Sequence, residues 1–192
     1  MDLTSAPVPE LGPDDHVRGV GGPDSPLVVM YADFACPHCA VAHLRLQEAA
    51  RQQPLRVAFR HFALKSKHPR APALAAAAEA AGLQGAFWAL HDALYADQGH
   101  QDDPHLWATA ARLGLDVERF DADRRSPEVA ERVKRDVRAA MRAGVVATPT
   151  VFADAAARVD LPTSARLHRV RNEKRKEGAA DPTGGPRKDN FI

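Results

Sequence analysis

The sequence contains little cysteine, no long apolar run and almost no excess of charge of either sign. Among its 192 residues there are only two cysteines, which is too few for the disulfide framework of a small secreted domain. No segment approaches the roughly 18 consecutive apolar residues that a transmembrane helix needs, so we expect no membrane span. With 26 basic and 25 acidic residues, the net charge of +1 gives no general argument for nucleic-acid binding.

The amino-terminal segment also lacks the basic and apolar regions of a secretory signal peptide. On this basis we expect a cytoplasmic protein. Residues 1–15 are rich in proline, aspartate and glycine, which predicts a flexible lead-in. The chain length suits one main core, with room for a helical insertion.

The pattern that follows predicts a mixed α/β fold. Leu27–Tyr31 is a continuous apolar run that suits a strand buried on both faces. A helix is expected from Pro37 to about Gln52, because proline is favoured at the first helical position. Leu55–Phe62 reads as a second core strand, and a helix between two core strands indicates an α/β crossover.

The rest of the chain divides into a helical block, a strand and a polar end. Residues 66–143 keep helical spacing almost throughout, which predicts an all-helical subdomain inserted into the α/β unit. Val145–Phe152 is typical of a strand, although it contains a proline, which central strands disfavour.

The carboxy-terminal segment buries little apolar surface. Residues 165–192 carry eight basic and four acidic residues and few large apolar side chains, so we predict a basic, disordered tail. Arg158–Leu161 fits a last strand, and any final helix over Thr163–Lys176 would be polar and weak. The predicted folded domain therefore covers residues 16–164.

The two cysteines, Cys36 and Cys39, lie at the predicted start of a helix directly after the first core strand. Unpaired N–H groups and the positive end of the helix dipole favour a thiolate at Cys36. His38, when protonated, adds a positive charge close by. Because these effects stabilise the reduced form, they make a disulfide more oxidising. Cys39, one turn along, is placed to resolve a mixed disulfide, so the pair is predicted to be redox-active.

Two other readings of the pair stay open at this point. A zinc site could use both cysteines with His38 or His43, but no second pair of ligands is visible in the sequence. Two inert, buried cysteines are a further alternative. We expect no metal, and no cofactor besides the redox-active disulfide Cys36–Cys39.

Three stretches resemble one known family. Leu27–Cys39, ending in Cys-Pro-His-Cys, is similar to the active-site strand and helix of the DsbA-like proteins. His68–Asp92 resembles the inserted helices of that family, and Gly144–Thr150 resembles its proline-containing loop. The resemblance covers roughly residues 14–160.

The resemblance implies a thioredoxin-like fold with an inserted all-helical subdomain, and a thiol:disulfide oxidoreductase activity. Cys36 and Cys39 would be catalytic, and Pro37 and His38 would tune them. Thr148–Pro149 would form a cis peptide bond beside the cysteines, where the backbone of Thr148 pairs with an extended substrate segment. The implied partners are protein thiols and disulfides, with glutathione as a further candidate.

One departure from the family concerns proton transfer. Family members often carry an acidic residue in the active-site strand, where this chain has Met30. The nearest carboxylate is Asp33, which we expect to cap the loop, with proton transfer through water as the alternative.

Two functions of other classes stay open. A glutathione-dependent transferase or isomerase could use the same fold, although such relatives generally rely on a serine and lack the cysteine pair. A non-catalytic metal- or partner-binding module is the other alternative.

Overall fold

The computed structural model describes residues 9–170, and this part of the chain forms a five-stranded sheet with six helices. The strands lie in the order β1-β3-β2-β4-β5. The elements, in chain order, are β1 His16–Val20, β2 Leu27–Ala32, α1 Pro37–Gln52, β3 Leu55–His61, α2 Ala71–Gly82, α3 Phe87–Ala96, α4 Asp103–Arg112, α5 Val117–Asp123, α6 Pro127–Arg142, β4 Thr150–Asp154 and β5 Arg166–Val170.

Strand β2 lies at the centre of the sheet, parallel to β3 and antiparallel to β4. Because successive side chains of a strand point to opposite faces, its apolar run supplies two separate clusters. Val28 and Met30 belong to the larger one, and Val29 and Tyr31 belong to the smaller one on the other face. The prediction of a strand buried on both faces is confirmed.

The helices occupy the positions that the α/β pattern predicts. Helix α1 connects the parallel strands β2 and β3, and α2 to α6 follow one another between β3 and β4. The fold class is therefore a thioredoxin-like α/β fold with inserted helices, as predicted. Helix α5 was not predicted separately. It has seven residues and a single buried one, Phe120, but Asp116 caps it by accepting a hydrogen bond from the Arg119 N–H.

The end of the described chain differs from the prediction. Arg158–Leu161 is not a strand, and residues 166–170 form β5 where the sequence predicted the start of a disordered tail and a polar helix. Strand β4 is buried over residues 150–153 and needs a partner for its backbone groups, and β5 pairs with it in parallel. Leu167 packs against the larger core cluster and His168 stacks on Phe152, and these contacts are enough for an edge strand. Residues 171–192, and with them the rest of the predicted tail and helix, lie outside the described residues.

The last residue of the predicted lead-in is attached to the sheet. Asp15 accepts two hydrogen bonds from the Arg60 guanidinium, at 2.8 and 2.7 Å, and both side chains are less than one-tenth exposed. Arg60 also donates to the Tyr31 hydroxyl at 2.9 Å. Residues 1–8 of the lead-in lie outside the described residues.

Within residues 9–170, none of the helices combines the length and the apolar character that crossing a bilayer requires.

Replacing Asp15 by asparagine tests how much the attachment contributes. The Asp15→Asn substitution leaves the Arg60 guanidinium buried without its counter-charge, so we expect the free energy of unfolding to fall by about 3 kcal/mol. Urea denaturation followed by circular dichroism measures the change.

The neighbouring Asp14 provides a matched control, because its ion pair with Arg135 is mostly exposed to solvent. The Asp14→Asn substitution should lower the free energy of unfolding by less than about 1 kcal/mol. Equal effects of the two substitutions would contradict a structural role of the buried pair.

Candidate active site

The two cysteines lie where β2 ends and α1 begins. Cys36 is the N-cap residue of α1 and Pro37 is the first helical residue. No side chain caps this helix by a hydrogen bond, so the N–H groups of its first turn remain available to the Cys36 sulfur. The Cys36 N–H donates to the carbonyl of Asp33 at 3.2 Å, which closes the turn before the helix.

The environment of Cys36 favours its thiolate. A hydrogen bond with the Cys39 side chain lowers the pKa of Cys36 to about 5, against the opposing effect of burial. The Thr148 side chain and the backbone N–H groups of Cys39 and His38 lower the pKa further. At neutral pH, Cys36 is therefore ionised, which is the state in which cysteine is a nucleophile.

Cys39 has the opposite character. Its side chain is completely buried, and this burial is the main reason why its pKa is well above the ordinary value. The hydrogen bond to Cys36 and the charge of Cys36 raise the pKa of Cys39 further. The two neighbouring thiols thus share one proton at neutral pH, and Cys39 holds it.

The loop before β4 faces the cysteines. The Thr148–Pro149 peptide bond is cis, and the carbonyl oxygen of Thr148 lies 3.7 Å from the Cys36 Sγ atom. Pro149 is buried, whereas Thr148 is partly exposed. The hydroxyl of Thr150 donates to the Ala147 carbonyl at 2.7 Å and fixes the turn of this loop. The structure thus brings all the residues that the sequence placed in the site to one end of the sheet.

Pro37 and His38 are both exposed at the rim of the site. His38 acts on Cys36 through its backbone N–H, which is one of the groups that lower the pKa of Cys36. The sequence had predicted the charge of the imidazole as the source of this effect.

A cavity of about 370 Å³ opens beside Cys36. One part of its lining is apolar and includes Phe62, Leu64 and Val146; the last of these is 63% exposed although it is a large apolar residue. Another part is basic or polar and includes Lys67 and His68. The nucleophile therefore lies at the edge of a groove large enough for side chains of another chain.

Asp33 has two roles in the turn. Its Oδ1 atom accepts a hydrogen bond from the Ala35 N–H at 2.9 Å, which confirms the predicted role as a loop cap. Its Oδ2 atom pairs with Nδ1 of His68 at 2.5 Å. This second contact was not predicted, and it joins the active-site turn to the segment between β3 and α2.

Three more side chains of the helical insertion hold the active-site turn, and the sequence analysis missed them. The Tyr95 hydroxyl donates to the Asp33 carbonyl at 3.4 Å. The Gln98 amide donates to the carbonyls of Phe34 at 2.7 Å and Cys36 at 3.1 Å, and the Gln101 amide donates to Phe34 at 3.1 Å. Tyrosine and glutamine near a helix end give no distinctive sequence signal, so only the structure reveals these contacts.

Within residues 9–170, the side-chain groups with the spacing of metal ligands contain neither cysteine. They are His43, His91 and Asp92, and His61, Glu79 and Asp136. Asp92 already accepts two hydrogen bonds from Arg18 at 2.8 Å, and Glu79 is held by His16 and His61. That the protein binds no metal stays a prediction.

A sheet of this order, a cysteine pair at the start of the first crossover helix and a set of inserted helices define the DsbA-like class of thioredoxin-fold proteins. This chain belongs to the thioredoxin family, whose family model matches residues 13–170.

Two solved structures illustrate the likeness. A thioredoxin-like oxidoreductase from Silicibacter pomeroyi DSS-3 is 26% identical, with a TM-score of 0.66, over 79% of this chain and 84% of that one. Pseudomonas aeruginosa DsbA2 is 25% identical, with a TM-score of 0.61, over 81% of this chain and 89% of that one.

The curated relatives of this chain are much longer proteins, and they are named as antiporters and not as oxidoreductases. A Na(+)/H(+) antiporter NhaA from Herminiimonas arsenicoxydans is 41% identical over 156 residues, which are 80% of this chain and 24% of the antiporter. The antiporter NhaA 1 of Salinispora arenicola is 44% identical over 148 residues, which are 74% and 22% of the two chains. This chain thus spans about a quarter of the curated relatives that it matches.

The pKa of Cys36 is open to direct measurement. The ultraviolet absorbance of the Cys36 thiolate in the reduced protein should appear with a midpoint near pH 5, because the hydrogen bonds at the helix start stabilise the charge. The Cys36→Ser variant should show no transition in this range. A midpoint between pH 8 and 9, which is roughly that of an ordinary cysteine, would contradict the geometry.

The same ionisation links stability to pH. Since the pKa of Cys36 is lower in the folded than in the unfolded reduced protein, the unfolded protein binds more protons between the two values. Compared with Cys36→Ser, the reduced protein should therefore gain stability as the pH rises above about 5 and lose that gain as the pH falls through this value. Denaturation at a series of pH values measures it.

Proposed function

We propose that this protein is a thiol:disulfide oxidoreductase that exchanges a Cys36–Cys39 disulfide with protein substrates through a mixed disulfide on Cys36. The observation that carries the proposal is the placement of the pair: Cys36 is the N-cap residue of α1 beside the Thr148 carbonyl, and Cys39 is completely buried one turn further. This placement displaces the two pKa values in opposite directions. One thiol is prepared as nucleophile and leaving group, and the other keeps the proton until it attacks. The likeness to DsbA-type proteins supports the same activity.

In the oxidising direction, a substrate thiolate attacks the Cys36 sulfur of the Cys36–Cys39 disulfide. The Cys36–Cys39 bond breaks, a bond between the substrate and Cys36 forms, and Cys39 leaves as a thiolate that takes up a proton. A second substrate thiol, as thiolate, then attacks the substrate sulfur and releases Cys36 as its stabilised thiolate. The substrate gains a disulfide and the protein becomes the dithiol.

In the reducing direction the same steps run backwards. The Cys36 thiolate attacks a substrate disulfide, and Cys39 loses its proton and attacks the Cys36 sulfur of the mixed disulfide. Two substrate thiols leave and the Cys36–Cys39 disulfide forms. Because the low pKa of Cys36 stabilises the dithiol, the oxidising direction is favoured.

The groove beside Cys36 supports a protein substrate. An extended segment that passes over the cavity would meet Thr148, which is partly exposed, on one side and the exposed Val146 nearby. Pairing with the Thr148 backbone would supply sequence-independent hydrogen bonds, as in strand addition. The same groove is open to glutathione, which is the smaller candidate partner.

The alternatives are less well supported. A glutathione-dependent transferase would need no second cysteine, whereas here Cys39 supplies the hydrogen bond that contributes most to the low pKa of Cys36. The part of the antiporters that matches this chain, about a quarter of their length, is inferred to be a domain of this fold. Ion transport is not part of the proposal.

Removing either cysteine should separate the two half-reactions. The Cys36→Ala variant should lose insulin reduction down to the uncatalysed rate, because the remaining thiol, Cys39, is completely buried and has a raised pKa. The Cys39→Ala variant should still attack but should accumulate mixed disulfides, which non-reducing gel electrophoresis and mass spectrometry detect. Full insulin-reducing activity of Cys36→Ala would refute the proposed function.

The contribution of the His38 imidazole can be isolated, because this side chain is exposed and its removal leaves the backbone N–H in place. We expect His38→Ala to make the disulfide less oxidising, with a change of up to about tenfold in its equilibrium constant with glutathione. The control is His105→Ala, which removes an exposed imidazole on a different helix, α4. An unchanged equilibrium constant for His38→Ala would exclude a tuning role of the imidazole.

A further inference from the structure

The start of α1 poses a mechanical problem. A capping side chain stabilises the first turn of α4, α5 and α6, but the cap position of α1 is occupied by Cys36, which makes no such bond. The backbone N–H groups of His38 and Cys39 in this first turn instead help to lower the pKa of Cys36. Something other than a cap must therefore keep the turn in place while the thiol changes between its free, ionised and disulfide-bonded forms.

The helical insertion supplies that support from the carbonyl side of the turn. The carbonyls of Asp33, Phe34 and Cys36 all accept hydrogen bonds from side chains that follow or end α3. Among the side chains of residues 9–170, that of Gln98 donates to the Cys36 carbonyl itself, at 3.1 Å. The same amide also donates to the Phe34 carbonyl at 2.7 Å, so one side chain holds two carbonyls of the turn, two residues apart, immediately before the helix.

We propose that Gln98 is a positioning residue for the cysteine pair, whose amide fixes the peptide groups around Cys36 so that the first-turn N–H groups stay directed at its sulfur. The inference rests on the proposed function, since it concerns the same thiol. Gln98 touches neither substrate nor sulfur in this role. It acts through the backbone.

The physical reason is the dependence of hydrogen bonds on direction. An N–H···S contact weakens steeply when the peptide plane rotates, and the Cys36 carbonyl also accepts from the N–H groups of Cys39 and Ala40 in the first turn. A turn held at its carbonyls by Gln98 cannot rotate without breaking these bonds together. The amide of Gln98 also directs the positive end of its own dipole toward the turn that carries the thiolate.

The test compares two glutamines of the helical insertion. Gln98→Met keeps the length of the side chain and removes its amide. Gln84→Met is the matched control, because Gln84 is also partly buried and bonds to the backbone of Asp116, at 3.1 and 3.0 Å, in a loop without a redox group. The readouts are the pH titration of the thiolate absorbance and the equilibrium of the cysteine pair with glutathione.

We expect Gln98→Met to move the titration midpoint upward by about one pH unit, which is a tenfold change in the acid dissociation constant. The disulfide should become less oxidising, with a change of the same proportion in its equilibrium constant with glutathione, because the titration and the redox equilibrium both depend on the stability of the Cys36 thiolate. Gln84→Met should change neither, even if it lowers the melting temperature. A milder variant, Gln98→Asn, keeps the amide but is too short to reach both carbonyls, and it should shift the midpoint in the same direction.

The outcomes are distinct. If Gln98→Met and Gln98→Asn titrate like the unchanged protein, Gln98 is not a positioning residue, whatever their stability. If Gln84→Met shifts the midpoint equally, the effect is a general loss of stability and the inference fails. If the unchanged protein itself titrates like an ordinary cysteine, it is the proposed function that fails, because the low pKa of Cys36 follows from the placement that carries it.

Discussion

The helix start without a side-chain cap is the constraint on which the rest of the site depends. A helix N-terminus has N–H groups that require a partner, and here the sulfur of Cys36 occupies the position that a capping oxygen usually takes. The hydrogen bond with the Cys39 side chain contributes most to the low pKa of Cys36, and backbone N–H groups of the first turn lower it further, whereas burial keeps Cys39, one turn further, neutral. The difference between the thiols follows from their places on one helix.

The surrounding fold keeps this start in position from three directions. Strand β2 is buried on both faces, and this packing fixes the position of the turn that follows it at the end of the sheet. The loop that contains the Thr148–Pro149 cis peptide closes the second side. The inserted helices close the third, through Tyr95 and the two glutamines and through the contact between Asp33 and His68. The insertion is thus part of the active site and not only an appended subdomain.

Much of the fold and the centre of the site were predictable from the sequence. Apolar runs and a proline at a helix start are local signals, and they were sufficient for β2, α1 and the cysteine pair. The contacts of Gln98 and His68 were not predictable, because a polar side chain gives no local sign of which distant carbonyl or carboxylate it will meet. Strand β5 was missed for a related reason: an edge strand needs backbone partners and few packed side chains, here Leu167 and His168, so its composition resembles that of a tail.

The unequal sharing of one proton has a consequence for how the protein couples electrons to acidity. Between about pH 5 and the raised pKa of Cys39, the dithiol form carries one proton and the disulfide form carries none. Reduction in this range therefore takes up two electrons and a single proton. The midpoint potential should then fall by about 30 mV for each pH unit, half the slope of a pair of ordinary thiols. The oxidising strength of the protein would accordingly vary less with the acidity of its surroundings than that of a dithiol with two protonated sulfurs.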